Sequence, residues 1–162
     1  MPNYVINRMS ITAPKAVKDA IRTRILDDYG CVEFNRIVPL DCDDRYEAIE
    51  KWGTRAEAIE SETDFQGFDY SFETVWETPR PIFKRLSELF PTATFRIKYA
   101  SEDVGYQCGI ITAKNGVLTE IKKDANTIDF TKALLFACKL WNETPHENGY
   151  KRAKDGTYVP ID

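Results

Sequence analysis

The stretch FETVWETPRPIFKRLSELFP, residues 72–91, changes its periodicity at its centre, and the fold follows from how that change is read. Extended leftward to Phe68, it alternates. Phe68, Tyr70, Phe72, Thr74 and Trp76 fall on one face, and Asp69, Ser71 and Glu73 on the other, as a half-buried strand requires. To the right, Ile82, Leu86, Leu89 and Phe90 recur at helical spacing, which predicts an amphipathic helix over Pro79–Phe90 stopped by Pro91. Thr78 suits the N-cap, and Pro79 and Pro81 fall where a helix has no use for their missing N–H groups. The double proline therefore marks a stiff strand-to-helix corner.

Other segments extend the pattern. YVINRMSIT (4–12) reads as a strand, followed by a helix from Pro14 to Tyr29 with Val17, Ile21 and Ile25 as its stripe and Gly30 as its stop. CVEFNRIVP (31–39) reads as an extended segment. Residues 41–64 carry mixed signals. Tyr46, Ile49 and Trp52 fit a helical face, Thr54-x-x-Glu57 fits a capping box, and Ala56, Ala58 and Glu60 fit a strand. TFRIKYA (94–100) alternates, and YQCGIITAKNGVLTEI (106–121) is a hairpin turning at Asn115-Gly116. Asp129 caps a helix over Phe130–Trp141, and GYKRAKDGTYVPI is a second small hairpin. The order is β-α-β-β-α-β plus additions. It predicts a single α+β domain over 1–162, a ferredoxin-like two-layer sandwich with its core in about 1–121, an added antiparallel hairpin, and a C-terminal helix and tail over about 125–162. In this plan one sheet face stays open, showing Asp69, Ser71, Glu73, Arg96 and Lys98, with Glu73 and Arg96 suited to cross-strand pairing.

The 162 residues carry a net charge of −4, unevenly spread. Twelve acidic residues stand against three basic ones between Asp41 and Glu77, which disfavours nucleic acid at that part of the surface. No apolar run is long enough to span a bilayer, and MPNYVINRMS does not read as a secretory signal, so a cytoplasmic setting is expected. Cys31, Cys42, Cys108 and Cys138 are spaced as free thiols, mostly buried, and His146 stands alone, so no metal or other cofactor is expected. No phosphate-binding glycine loop occurs, and no nucleophile–base set is apparent. The chain is expected not to be an enzyme.

MPNYVINRMSI, FNRIVPLD (34–41), KWGTR (51–55) and FETVWETPRPIFKRLSELFP resemble, in the same order, the YubB-like family of phage- and plasmid-borne proteins with a ferredoxin-like domain. The resemblance covers roughly residues 1–113. Ala56 replaces an aromatic that usually follows the WGT tripeptide, and Glu77 and Thr78 replace a serine and a proline before the corner. It implies the fold and a mobile-element setting, and brings no catalytic residues.

Trp52 and Tyr46, with Asp43, Asp44, Glu47 and Glu50 around them, form the candidate partner-binding patch. If Trp52 is exposed, this is an aromatic-centred acidic surface for a basic protein of the host or the element. The expected function is that of a non-enzymatic accessory protein of a mobile element acting by protein binding, with a host nucleic-acid-handling or defence complex as a candidate target. The runner-up is nucleic-acid binding through Lys122, Lys123, Lys151, Arg152 and Lys154.

Overall fold

Residues 3–162 are described by the computed structural model. The first strand, β1 (Tyr4–Thr12), is largely buried on both faces because it lies at the centre of the sheet. It pairs antiparallel with β3 (Phe68–Val75) on one side and β4 (Thr94–Ser101) on the other. Beyond β3 lies β2 (Ile59–Phe65), and beyond β4 lie β5 (Cys108–Lys114) and β6 (Val117–Lys122), giving the order β2-β3-β1-β4-β5-β6. The inner β4-β1-β3-β2 arrangement, crossed by α1 (Lys15–Ile25) and α3 (Arg80–Leu89), is the ferredoxin-like motif. Between α1 and β2 the chain adds a 3-10 turn (Phe34–Arg36) and α2 (Arg45–Trp52). α4 (Phe130–Trp141) follows β6, and β7 (Tyr150–Arg152) and β8 (Tyr158–Pro160) form the small terminal hairpin.

One sheet face carries the main core. Val5, Met9, Phe72, Phe95, Ile97 and Ile111 meet Ile21 and Ile25 of α1 and Ile82, Phe83 and Leu86 of α3. Asn7 is fully buried among them at the strand-to-helix corner. Its amide donates to the Val5 carbonyl (3.1 Å) and Thr74 Oγ1 (3.0 Å), and its Oδ1 accepts from Thr78 Oγ1 (2.6 Å). Thr78 is therefore spent on β1, and Pro79 takes the helix-cap position, with Pro81 in the first turn.

α4 covers part of the opposite face. Leu134, Ala137, Cys138 and Leu140 pack on Ile6, Ala100 and Cys108. The face expected to stay open thus gains a third layer, and Ser71 is buried. Glu73 and Arg96 are not neighbours, because β1 runs between their strands: Glu73 opposes Ile6, and Arg96 opposes Ser10.

Residues 31–39 are not the second strand. Val32 makes only an isolated bridge to Leu26, and Phe34–Arg36 turn tightly because the Glu57 carboxylate accepts the Phe34 and Asn35 N–H groups. The true second strand, β2, lies later, within the acidic segment. α1 stops at Ile25, earlier than Gly30, because Asp27 Oδ1 draws the Tyr29 and Cys31 N–H groups (2.9 Å each) into a turn. The four cysteines are unpaired, with Cys108 and Cys138 buried, Cys31 half-buried and Cys42 exposed.

Candidate functional site

α2 organises the acidic surface. Asp44 caps it by accepting the Tyr46 N–H (3.2 Å), and Gly53 ends it in the left-handed conformation (φ 78°). Tyr46, Ile49 and Glu50 lie along its outer side, while Ala48 and Trp52 face inward. Trp52 is only 5% exposed. Its Nε1–H donates to the Val38 carbonyl (2.7 Å), and its ring meets Phe34 edge-on at 5.7 Å. Trp52 is thus a core residue, because its indole is the only large apolar group on the inward side of α2. It is not the exposed centre of the expected patch.

Glu47 also has a structural task. Its carboxylate accepts the Asp41 N–H (2.7 Å) and Cys42 N–H (3.0 Å) and pairs with Lys51 Nζ (2.7 Å). The Lys51 contact, then these amide bonds and the Cys42 thiol, hold its pKa down to about 2. The 41–44 loop is thereby tied to α2. Between this loop and the 33–35 turn opens a cleft of about 510 Å³, floored by Ala48 and Trp52 and rimmed by Glu33, Asp41, Asp43 and Asp44. Arg45 and Arg55 also border it. Glu57, deeper in, has its pKa raised chiefly by burial, although its oxygens are occupied by the Phe34, Asn35 and Ala58 N–H groups.

The second tryptophan behaves in the opposite way. Trp76 leaves β3 with φ of 71° and is 40% exposed. The Glu77 N–H returns to the Val75 carbonyl (2.9 Å), so Trp76 is the centre of a γ-turn with positive φ, a rare and strained form. Its N–H donates to the Asn3 carbonyl (2.7 Å), and its own carbonyl accepts from Gln107 Nε2 (2.7 Å), which pin the turn. The Arg55 guanidinium lies over its ring at 5.4 Å. Trp76, Ile49, Gly53 and Arg55 line one groove. Thr54 is not a capping residue. Its hydroxyl donates to the Val75 carbonyl (2.7 Å) at the start of this turn.

The expected patch is therefore rearranged. Asp43 and Asp44 stay exposed at the cleft, Tyr46 (66% exposed) and Glu50 stay on the outer side of α2, Glu47 becomes a loop clamp, and Trp52 is withdrawn into the core. Ile49 (44% exposed) and Trp76 take over as apolar contacts. Alternation pointed Trp76 inward, and nothing in its residue type announces a positive φ. The basic set is scattered over β6, β7 and the final turn, and Lys151 is paired with Asp162 (3.2 Å). Among the described residues no group of three or more His, Cys, Asp or Glu is placed to hold a metal ion, and no helix is long and apolar enough to cross a membrane.

Neither a curated protein nor a solved structure matches the chain. A family described as "Ferredoxin-like domain in Api92-like protein" matches residues 51–135, from α2 through β2–β6 into α4. That span is more than half of the chain and contains both the Gly53–Thr54 cap and the double-proline corner. The chain belongs to this family of ferredoxin-like domains in Api92-like proteins.

Proposed function

We propose that the protein acts by binding another protein through the surface shared by α2 and the 75–77 turn. The observation that carries this reading is Trp76, a large aromatic held facing solvent in a strained turn beside Ile49. Strain of this kind persists only where surrounding structure enforces it, and it concentrates at functional positions. Trp and Tyr are preferred anchors in interfaces. Asp43 and Asp44 at the start of α2 and Glu50 on its outer side stay exposed and add negative charge to this surface, which suits a partner with a basic surface. The YubB-like resemblance supports an accessory role for a phage or plasmid, directed at a host nucleic-acid-handling or defence complex. No catalytic step is invoked, because the buried carboxylate of the cleft, Glu57, is already engaged by backbone N–H groups.

The test is affinity capture from host cells followed by reconstitution with purified partner. Wild type, Trp76→Ala and an Asp43→Lys/Asp44→Lys/Glu50→Lys variant are compared. Trp76→Ala is expected to weaken the purified complex by about 30-fold, the effect of losing an interface anchor. The charge-reversed variant is expected to slow association and flatten its salt dependence. Equal binding by all three proteins would sink the reading.

A further inference from the structure

On the other side of the sheet, Arg8 is a charge without a counter-charge. It lies in the middle of β1, facing α4, and is 5% exposed. Its guanidinium donates from Nε (2.8 Å) and Nη2 (2.5 Å) to the Leu140 carbonyl and from Nη1 to Ser71 Oγ (3.2 Å), and it lies over the Phe65 ring at 4.7 Å. All of these partners are neutral. A buried Arg is ordinarily paired with an acid. Yet among the described residues Arg8 makes no ion pair, and neither do Lys98 or Lys139 beside it. Glu62 and Glu73 act on Arg8 only at longer range. Three of its five N–H donors are in use, which leaves two for a ligand.

These cations border a cavity of about 170 Å³. Its walls are the apolar side chains of Phe68, Phe136 and Leu140, and Gln66 and Asn142 bring amides to it. Gln66 sits at the tip of the β2–β3 hairpin (φ 49°), and Asn142 is the left-handed C-cap of α4 (φ 55°). Burial lowers the pKa of Lys98, and Arg96 and Lys139 lower it further by repulsion. An anion among these side chains would relieve that repulsion.

We propose that this pocket binds a small organic carboxylate whose carboxyl group meets Arg8, Lys98 and Lys139 and whose apolar body sits between Phe68 and Phe136. The volume suits a single ring, since an apolar cavity of about 150 Å³ admits benzene. The apolar walls favour a carboxylate with a hydrocarbon body over a bare phosphate. The site lies across the sheet from the proposed protein-binding surface and does not depend on it.

The experiment is an amide NMR titration of the full chain with benzoate, benzyl alcohol and inorganic phosphate at constant ionic strength. Benzoate is expected to give saturable shifts at Arg8, Lys98, Phe136 and Lys139, with affinity on the order of millimolar for so small a ligand. Benzyl alcohol and phosphate are each expected to bind about tenfold more weakly, as is benzoate to Lys139→Gln, where one charge-assisted contact is lost. Lys139 is exposed on the last turn of α4, so this variant keeps the fold, which circular dichroism checks. Lys98→Met is a second variant with the same expected loss. Equal affinity for benzoate and benzyl alcohol, tighter binding of phosphate, unchanged benzoate affinity in both variants, or no shifts at these residues would each overturn the proposal.

Discussion

Trp52 and Trp76 show how little a residue's type decides its task. Trp52 fills the space between α2 and Phe34 and gives its indole N–H to Val38, so its loss costs packing and a hydrogen bond. Trp76 is partly exposed and holds a backbone conformation that a bulky side chain resists. Opposite stability effects follow. Trp52→Ala is expected to lose about 3–5 kcal/mol, as for other large core truncations. Trp52→Phe is expected to lose about 1–2 kcal/mol, mostly from the orphaned Val38 carbonyl. Trp76→Gly, by contrast, should be as stable as wild type or more stable by up to about 1 kcal/mol, because glycine adopts positive φ without strain. Urea denaturation of the three variants checks this, and a large loss in Trp76→Gly would show that the indole packs as a core residue. Alternation in residues 68–76 placed Trp76 with Phe72 and Tyr70, but the pattern runs only as far as the backbone stays extended, and β3 ends at Val75. Arg8 was equally illegible. Its alternate position in β1 marks the face opposite Val5 and Met9, but only the docking of α4 turns that face into an interior.

At the scale of elements, the two most specific sequence markers turn out to be one object. Gly53 of the WGT tripeptide lies so close to Pro81 of the double-proline corner that a Cβ there would come within 2.7 Å of the proline ring. Thr54 bonds to Val75 from the same side. The end of α2, the end of β3 and the start of α3 are thus locked together. Gly53→Ala would meet both the positive φ of 78° and the Pro81 clash. It is expected to lose about 2–4 kcal/mol, against about 1 kcal/mol for Gly30→Ala, where φ is 82° and no atom lies within 4 Å of the added methyl. Denaturant midpoints of the two variants make the comparison, and equal losses would mean that the Pro81 contact carries nothing. β1, β3, β4, the Asn115-Gly116 hairpin and α4 were readable because each satisfies its own local rule: β-branched and apolar composition for β1, alternation for β3 and β4, a two-residue turn with positive φ at both positions, or an Asp cap. β2 was not. It is an edge strand with Glu60, Glu62 and Asp64 exposed, its register to β3 shifts, and Glu60 and Asp64 have positive φ. Its acids do alternate with Ser61, Thr63 and Phe65, but the inner positions are mostly small and polar, so no apolar face marks the strand. Residues 31–39 carry the strand-like composition, but their Phe34 and Asn35 N–H groups go to Glu57, a partner that no local rule could supply.

For the whole molecule, a single sheet serves two apolar clusters. β1 sends Val5, Met9 and Ile11 to the α1–α3 side and Ile6 to the α4 side, and β4 likewise sends Phe95, Ile97 and Tyr99 one way and Ala100 the other. The same backbone therefore cannot lose one cluster while leaving the other undisturbed. Arg8 adds a direct tie, since its guanidinium joins the centre of β1 to the last turn of α4. Leu134, fully buried on the inner side of α4, reports on this coupling. Leu134→Ala is expected to lower stability by about 2–5 kcal/mol within one cooperative transition. Hydrogen exchange should then show amides of β1, β4 and α4 losing protection by the same free energy, as parts of one cooperative unit. A biphasic melt, with α4 opening alone while β1 and β4 keep wild-type protection, would refute the coupling and make the C-terminal helix a separable layer on an independent ferredoxin-like core.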